Sequence, residues 1–314
     1  MSDPEFAPSA KDAIQLAESF FAERAESCVR FTTGLRHWVY DVALADSARR
    51  VVVRLSHPDH RRELAGGVFW HDQLAATGVP VAAVIAADVS ADQTFMILER
   101  LAGTDIGNVL DTMSQDQIRS AAHAVAEMQH LTGALPLADG FGYALNYQSP
   151  LHRTWRDVLE ASLDKSRQWI RGVGIVDEQW VAQVAALLDH RAGLVDDVEP
   201  KAFLHDATTK NVIIDHGSVT GLVDVDEMAF GDPLWTVALS RMSLLSAILA
   251  TGYADEQIVL ISPSSTARDR VELYTALHCL SFLGELGQAF NRDKPSPLDQ
   301  AHQAHLEGVL SSLM

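Results

Sequence analysis

The stretch from residue 203 to residue 232 constrains the fold of this chain more than any other part of the sequence. Asp206 lies five residues before Asn211, which opens a short apolar run. A turn that contains Gly217 follows, and a second apolar run ends on Asp224. Short apolar runs separated by a glycine-containing turn are typical of a β-hairpin. The sequence therefore predicts a hairpin that fixes Asn211 and Asp224 relative to Asp206.

The residue types in this hairpin suit phosphoryl transfer, which needs an in-line hydroxyl nucleophile and charge neutralisation at the phosphate oxygens. We predict that Asp206 orients and deprotonates the acceptor hydroxyl. Asn211 and Asp224 are predicted to bind Mg²⁺, since this ion prefers oxygen ligands. An acid, an amide five residues later and a second acid after a hairpin form the pattern that protein kinases use. An ordinary hairpin with polar turn residues is the alternative interpretation.

Composition limits the class of protein. The 314 residues carry a formal net charge of -18, and 47% of them are hydrophobic. This length suits two lobes with separate cores, and the acidity argues against a nucleic-acid partner. The charge is compatible with a cationic small-molecule substrate, or it serves solubility alone. The sequence offers no apolar stretch near the ~20 residues of a membrane span, and Cys28 and Cys279 suit free thiols, so we expect a cytoplasmic protein.

The order of predicted elements indicates an α+β, bilobal, protein-kinase-like fold. Residues 1–100 are predicted to form a small β-rich nucleotide-binding lobe with a leading helix, and residues 101–314 a larger, mostly helical catalytic and acceptor-binding lobe. The first lobe is predicted to contain helices at 9–28 and 58–77 and strands at 38–44, 50–55, 79–86 and 94–98. The second is predicted to contain helices at 114–132, 150–171, 177–195, 233–250 and 268–290. The nucleotide is expected in the cleft between the lobes.

One cation interrupts the apolar strand at residues 51–55. Arg54 is predicted to bind nucleotide phosphate, because a planar guanidinium binds phosphate through two hydrogen bonds. A charge in such a strand also needs an acidic partner. Glu63 on the following helix is the first choice and Asp72 the second, although Gly66 and Gly67 stand near the place expected for this acid.

Other predicted contacts lie on either side of these elements. Gly34 stands where protein kinases have a glycine-rich loop, and backbone NH groups of residues 34–38 are expected to reach phosphate. Asp226 and Glu227 follow the hairpin and are predicted to bind metal or a cationic acceptor, with solvated turn acids as the alternative. Asp232 is predicted to cap the next helix.

The chain resembles the aminoglycoside phosphotransferase family, a branch of the kinase-like superfamily, from Gly34 to about Phe290. The hairpin is the specific part of the resemblance. Hygromycin-type phosphotransferases share an arginine in the phosphate-binding strand, a Gly-Phe-Gly followed by Thr-Trp-Arg-Asp, and a Met-Ala-Phe-Gly-Asp-like stretch after the metal-binding acid. The corresponding positions here are Arg54 and residues 140–142, 154–157 and 228–232. The segments at 63–67 and 206–211 look more like uncharacterised bacterial relatives.

The resemblance implies ATP or GTP, Mg²⁺, and transfer of the γ-phosphoryl group to a hydroxyl of a small molecule. An aminoglycoside or aminocyclitol antibiotic is the leading acceptor, with antibiotic resistance as the associated role. Asp206 is then the base, and Asn211 and Asp224 are the metal ligands. Residues 98–101, which include Glu99 and Leu101, form the hinge that receives the purine through backbone groups.

Two departures from the family keep alternatives open. Leu204 stands where the family usually has a histidine, and no acid occupies the usual place for the partner of Arg54. A degenerate module that binds nucleotide without catalysis is therefore one alternative, and kinases of choline, homoserine, sugars or macrolides share the fold. His205 and Asp206 also fit a metal phosphohydrolase with further histidines at 123, 130 and 278, although a hairpin rather than a helix follows them. The sequence leaves the oligomeric state open.

Overall fold

The structure is a computed structural model that describes residues 8–31, 37–90, 94–148, 150–289, 295 and 298–314. Gly34, predicted to lie in a phosphate-binding turn, falls outside these residues. The strands are β1 (Ala25–Arg30), β2 (His37–Leu44), β3 (Arg50–Ser56), β4 (Val84–Asp88), β5 (Thr94–Glu99), β6 (Thr104–Asp105), β7 (Gly142–Ala144), β8 (Ala202–Phe203), β9 (Val212–Asp215), β10 (Ser218–Leu222) and β11 (Met228–Phe230). The helices are α1 (Ala10–Phe21), α2 (Arg61–Thr77), α3 (Gln115–Thr132), α4 (Trp155–Val173), α5 (Gln179–His190), α6 (Leu234–Ser246), α7 (Gly252–Ile261), α8 (Ala267–Glu285) and α9 (Gln300–Ser312).

A five-stranded antiparallel sheet in the order β1-β2-β3-β5-β4 forms the first part of the chain. Side chains of a strand alternate between the two faces of the sheet. Val51, Val53 and Leu55 of β3 therefore share one face, where they pack in a core cluster with residues of α1. Val52 packs instead in the cluster that contains Leu64 of α2. The same alternation places Arg54 on the α2 side of the sheet.

The predicted catalytic hairpin is formed by β9 and β10, with β6 on the other side of β9. His216 and Gly217 have φ of 48° and 84°, as both central residues of a tight type I′ hairpin turn require. The end of β10 is joined to the first part of the chain, because the Leu222 NH donates to the Pro80 carbonyl over 2.8 Å. The hairpin is thus fastened to the connection between α2 and β4.

Helices α3 to α9 surround the largest core cluster. Its centre is aromatic: Trp155, Trp235 and Tyr274 contact one another edge to face, with ring centroids 5.5 to 6.3 Å apart. Cys279 is buried in α8 and Cys28 is partly buried in β1, and both are free, as predicted. Within the described ranges, a helix with the length and apolarity needed to cross a membrane does not occur.

The α+β prediction is confirmed, but several elements differ from those predicted. The helix predicted over 9–28 ends at Phe21, because Ala22 adopts a left-handed conformation and Ala25–Arg30 pairs with β2 as an edge strand. Helix α7 and the short strands β6, β7, β8 and β11 were not predicted. These strands have two or three residues each, too few for a periodic pattern. The division of the chain at residue 100 stays a prediction.

Two glycines with positive φ provide a test of how closely the chain before β6 approaches the hairpin. Gly78 and Gly103 have φ of 86° and 102°. A side-chain carbon at Gly78 meets open space, whereas one at Gly103 collides with the main-chain oxygen of Ile214. We expect Gly78→Ala to lower the free energy of unfolding by about 1 kcal/mol, the cost of left-handed backbone alone. Gly103→Ala should cost at least about 1 kcal/mol more in urea denaturation, and equal losses would contradict the close approach.

Candidate active site

The loop that carries Asp206 is anchored by side chains from two helices. The main chain of Leu204 forms a pair of hydrogen bonds with the Gln129 side chain, each 2.9 Å long. The Leu204 carbonyl also accepts a 2.7 Å bond from the Thr236 hydroxyl. These three hydrogen bonds hold the loop at Leu204, the position where the resemblance predicts a histidine. No local sequence motif marks Gln129, which lies 75 residues away from Leu204.

Asp206 and Asn211 are joined within the same loop. The Asn211 side-chain amide donates to the main-chain oxygen of Asp206 over 2.9 Å, and the Thr208 hydroxyl donates to the Asp206 carboxylate over 3.3 Å. Burial raises the pKa of Asp206 above its ordinary value, and the nearby charge of Asp224 raises it further. A carboxylate with a raised pKa is a better proton acceptor than a solvated one, which is what a general base requires.

Asp224 stands at the end of the hairpin, immediately beyond Val223. It has a φ of 62°, and its side chain is 56% exposed, so its carboxylate points to a solvent-accessible space. The Asp224 Oδ1 atom lies 3.6 Å from Nη2 of Arg54. Asn211 and Asp224 offer the hard oxygen donors that Mg²⁺ takes when it also binds phosphate, so these residues fit the implied metal.

The acidic partner of Arg54 differs from the predicted one. Its guanidinium pairs with both carboxylate oxygens of Asp226, with Nη1 2.7 Å from Oδ1 and Nη2 in close contact with Oδ2. Glu63 instead lies 3.7 Å from the His60 ring, and Asp72 is exposed. The prediction that Glu63 pairs with Arg54 is therefore wrong.

The reason for this difference is the glycine pair in α2. A side-chain carbon at Gly66 would lie 2.9 Å from the main-chain oxygen of Asp226, and one at Gly67 would lie 2.7 Å from its Oδ1. The loop after Asp224 therefore occupies the space that a side chain from the middle of α2 would need. Asp226 was predicted to contact metal or a cationic acceptor, but both of its carboxylate oxygens are taken by Arg54.

A histidine holds the other side of this pair. The Nε2 atom of His37 lies 3.0 Å from Asp226 Oδ2, and its Nδ1 atom contacts the Ser56 hydroxyl. Burial opposes ionisation of Asp226, but the charges of Arg54 and His37 outweigh it and hold the pKa of Asp226 below its usual range. Asp226 is therefore a carboxylate at neutral pH. His37 was not among the predicted site residues, because no local motif marks it.

The predicted hinge follows directly from β5. Glu99 is exposed, and its NH donates to the Ala83 carbonyl over 2.9 Å. The Leu101 carbonyl accepts a hydrogen bond from the Arg100 side chain, and Arg100 Nε donates to Asp41 over 3.1 Å. Glu99 and Leu101 therefore lie where the chain passes from the five-stranded sheet to β6 beside the hairpin. The Glu99 NH and the Leu101 carbonyl already take part in hydrogen bonds within the protein.

A face of polar and aromatic side chains lies beside Asp206. Tyr143 packs edge to face on His205 with centroids 4.9 Å apart, and its hydroxyl accepts a 3.4 Å bond from Trp235. Burial raises the pKa of the Tyr143 hydroxyl to about 12, and the nearby charge of Glu227 acts in the same direction. Glu227, which was predicted to bind metal or a cationic acceptor, lies near this face.

The histidines of the phosphohydrolase alternative do not assemble. His278 is buried and bonds to the Trp235 carbonyl at 3.1 Å, and burial lowers its pKa to about 4. His123 lies instead 3.7 Å from Glu256. Throughout the described part of the chain, three or more histidine, cysteine or acidic side chains do not come together as a metal site.

Asp232 has the structural role predicted for it. Its Oδ1 accepts a 3.1 Å bond from the NH of Leu234, the first residue of α6. Its Oδ2 accepts bonds of 2.7 Å from Arg270 and 2.8 Å from Tyr274, both on α8. Asp232 thus caps one helix and fastens it to another.

Comparison with known proteins identifies the family of the chain. Residues 28–274 match the model of the phosphotransferase enzyme family. Over 176 residues, the chain is 28% identical to the hygromycin-B 4-O-kinase of Escherichia coli. That match covers 54% of this chain and 49% of the kinase, so it spans about half the length of this curated relative.

Two solved structures show the likeness in fold. A thermostable mutant of aminoglycoside phosphotransferase APH(4)-Ia, in ternary complex with AMP-PNP and hygromycin B, superposes with a TM-score of 0.68 at 19% identity and covers 96% of this chain and 97% of its own. A putative fructosamine-3-kinase of Haemophilus somnus superposes with a TM-score of 0.61 at 15% identity and covers 95% and 96%. At these identities the likeness concerns the fold, which is the bilobal kinase-like fold predicted from the sequence.

Proposed function

This chain belongs to the phosphotransferase enzyme family, and we propose that it transfers the γ-phosphoryl group of a nucleoside triphosphate to a hydroxyl of a small molecule. One observation carries the proposal. A buried arginine from the sheet and an exposed carboxylate from the hairpin, Arg54 and Asp224, meet within 3.6 Å in the neighbourhood of Asp206. A phosphate-binding cation, a metal-binding acid and a base are the groups that phosphoryl transfer needs in one place.

Each of these residues has a distinct proposed role. Asp206 orients the acceptor hydroxyl and takes its proton as the acceptor oxygen bonds to the γ-phosphorus and the bond from that phosphorus to the departing nucleoside diphosphate breaks. Asn211 and Asp224 hold Mg²⁺, which neutralises charge on the phosphate oxygens when it is bound. Arg54 contacts the phosphates of ATP or GTP, and the main chain of Glu99 to Leu101 receives the purine.

The proposed acceptor is an aminoglycoside or aminocyclitol antibiotic. The E. coli relative is a hygromycin-B kinase, and a structural neighbour binds hygromycin B. Such acceptors are cationic, which agrees with the net charge of -18 and with Glu227 beside the Tyr143 face. The fructosamine-3-kinase likeness favours an amine-bearing sugar as the second candidate.

The test is to incubate the protein with ATP, Mg²⁺ and separate pools of aminoglycosides and glycated amines, and to measure ADP release and acceptor mass. We expect ADP release that depends on Mg²⁺ and on the aminoglycoside pool, with one acceptor gaining the mass of a phosphoryl group. A mass gain confined to the glycated amines would move the acceptor to the second candidate. Absence of both nucleotide binding and ADP release would overturn the proposed function.

A further inference from the structure

Arg54 is a buried cation that needs a fixed acidic partner. Only 5% of the residue is exposed, and it lies between the sheet and α2. A charge in such a place is stable when paired and hydrogen-bonded, and its direction is set by the group that pairs with it. The identity of that partner therefore determines where the guanidinium points.

Helix α2 lies at the right place for a partner acid but has no side chain there. Gly66 and Gly67 face the loop that contains Asp226, and a carbon added to either would lie within 3 Å of that loop. The helix itself is well anchored, because Trp70 donates a 2.8 Å hydrogen bond to the Ala144 carbonyl. Close packing between α2 and the loop thus excludes an acidic side chain at these two positions.

Asp226 is held in place by its surroundings. Arg54 binds both of its carboxylate oxygens, and His37 approaches Oδ2 from the other side at 3.0 Å. His71 Nδ1 donates a 2.7 Å hydrogen bond to the Gly67 carbonyl, which holds the His71 side chain against the segment of α2 that faces Asp226. A carboxylate with this many contacts has little freedom to turn.

We infer that Asp226 is the positioning residue that directs Arg54 toward the nucleotide phosphates, in place of an acid from α2. This inference rests on the proposed function. Asp226 is two residues from Asp224, and Arg54 contacts both. The phosphate-binding cation is therefore oriented by the same loop that holds the metal-binding acid, and nucleotide phosphate and metal are recognised by one connected unit.

The first test measures binding of ADP with Mg²⁺ by calorimetric titration, which needs no acceptor and no turnover. We expect Asp226→Asn to weaken nucleotide binding by roughly ten- to a hundredfold, as for the loss of a charged hydrogen-bonded pair. Arg54→Met should weaken it similarly, and the double variant should lose no more than either one, because the two residues act as one unit. Asp116→Asn removes an acid whose side chain is 87% exposed and should bind like the wild type.

The second test replaces the acid at position 226 with an acid on α2. Gly67→Glu combined with Asp226→Ser places a carboxylate on α2 and removes the side chain that it would strike. Gly67→Gln with Asp226→Ser is its matched neutral control. We expect the glutamate version to bind ADP about tenfold more tightly than the glutamine version, and to keep its kcat at saturating ATP while the glutamine version has a raised KM for ATP.

The outcomes separate the two proposals. Wild-type protein that fails to bind ADP with Mg²⁺ would remove the proposed function itself. Wild-type binding together with wild-type affinity in a folded Asp226→Asn variant would overturn the positioning role alone. If Asp226→Asn does not fold by circular dichroism, the glutamate and glutamine pair decides, and equal affinities in that pair would refute the inference.

Discussion

Replacing Asp206 by asparagine is expected to lower kcat by about 10²–10⁴-fold, the contribution of a positioned general base. The substitution preserves shape and removes the proton acceptor. The bond from the Asn211 amide goes to the main-chain oxygen of residue 206, so it survives the change. The anchor formed by Gln129 and the Leu204 main chain is also independent of the Asp206 side chain. The loop should therefore keep its position while the chemistry is lost.

This result is checked by measuring phosphoryl transfer and nucleotide affinity on the same preparation. ADP affinity and the midpoint of thermal unfolding should stay close to wild type while turnover falls. Asp215→Asn, at the far end of β9, is a control for loss of one acid on the hairpin and should keep normal turnover. Normal turnover in Asp206→Asn would show that another group accepts the proton.

The largest expected effect on stability comes from Asp232→Ala. Its carboxylate is 3% exposed and accepts hydrogen bonds from the Leu234 NH, Arg270 and Tyr274. Removal leaves a nearly buried guanidinium without its acidic partner and one helix start without its cap. Breaking a buried pair in this way costs about 3–5 kcal/mol, which is a large share of the stability of a typical domain.

Urea unfolding followed by circular dichroism measures this cost. Asp164→Ala is the matched control, because Asp164 is 58% exposed and pairs with Arg167 on the surface of α4. An exposed pair of that kind should contribute less than about 1 kcal/mol. Losses of similar size in the two variants would show that Asp232 does not link α6 to α8 in solution.

The features that could be predicted from the sequence are those marked by neighbouring residues along the chain. The hairpin between Asn211 and Asp224 follows from two apolar runs and a glycine turn, and the structure contains it. The cap at Asp232 follows from a proline and an apolar helix just beyond it, and it is also present. Such signals involve neighbouring residues, so no knowledge of tertiary packing is needed to read them.

The partner of Arg54 shows why the rest could not be predicted. Arg54 and Asp226 are 172 residues apart, and their contact depends on how closely the hairpin loop approaches α2. Gly66 and Gly67 did indicate an unusual position in α2, because glycine is unfavourable in the interior of a helix. Without the position of the loop, however, a missing side chain does not reveal which group fills its place.

The support of the loop that carries Asp206 could not be predicted for a similar reason. Gln129 sits in a helix with no motif around it, and it is buried among apolar neighbours at 4% exposure. A buried amide must find partners, but the sequence does not say which main chain will offer them. The structure provides them at Leu204, one residue from His205 and two from the proposed base.

The contact between α2 and the loop also restricts how sequences of this kind can diverge. A carboxylate at position 226 and a side chain at position 67 compete for the same space, since a carbon added at Gly67 would lie 2.7 Å from Asp226 Oδ1. An acid at position 67 of α2 and an acid at position 226 of the loop therefore cannot both be present as partners of Arg54. Exchange of one arrangement for the other needs two substitutions, because loss of Asp226 alone removes the acid that binds Arg54 through both oxygens, and a side chain at position 67 alone displaces the loop. Each single substitution is thus unfavourable, and we expect positions 67 and 226 to change together among related sequences.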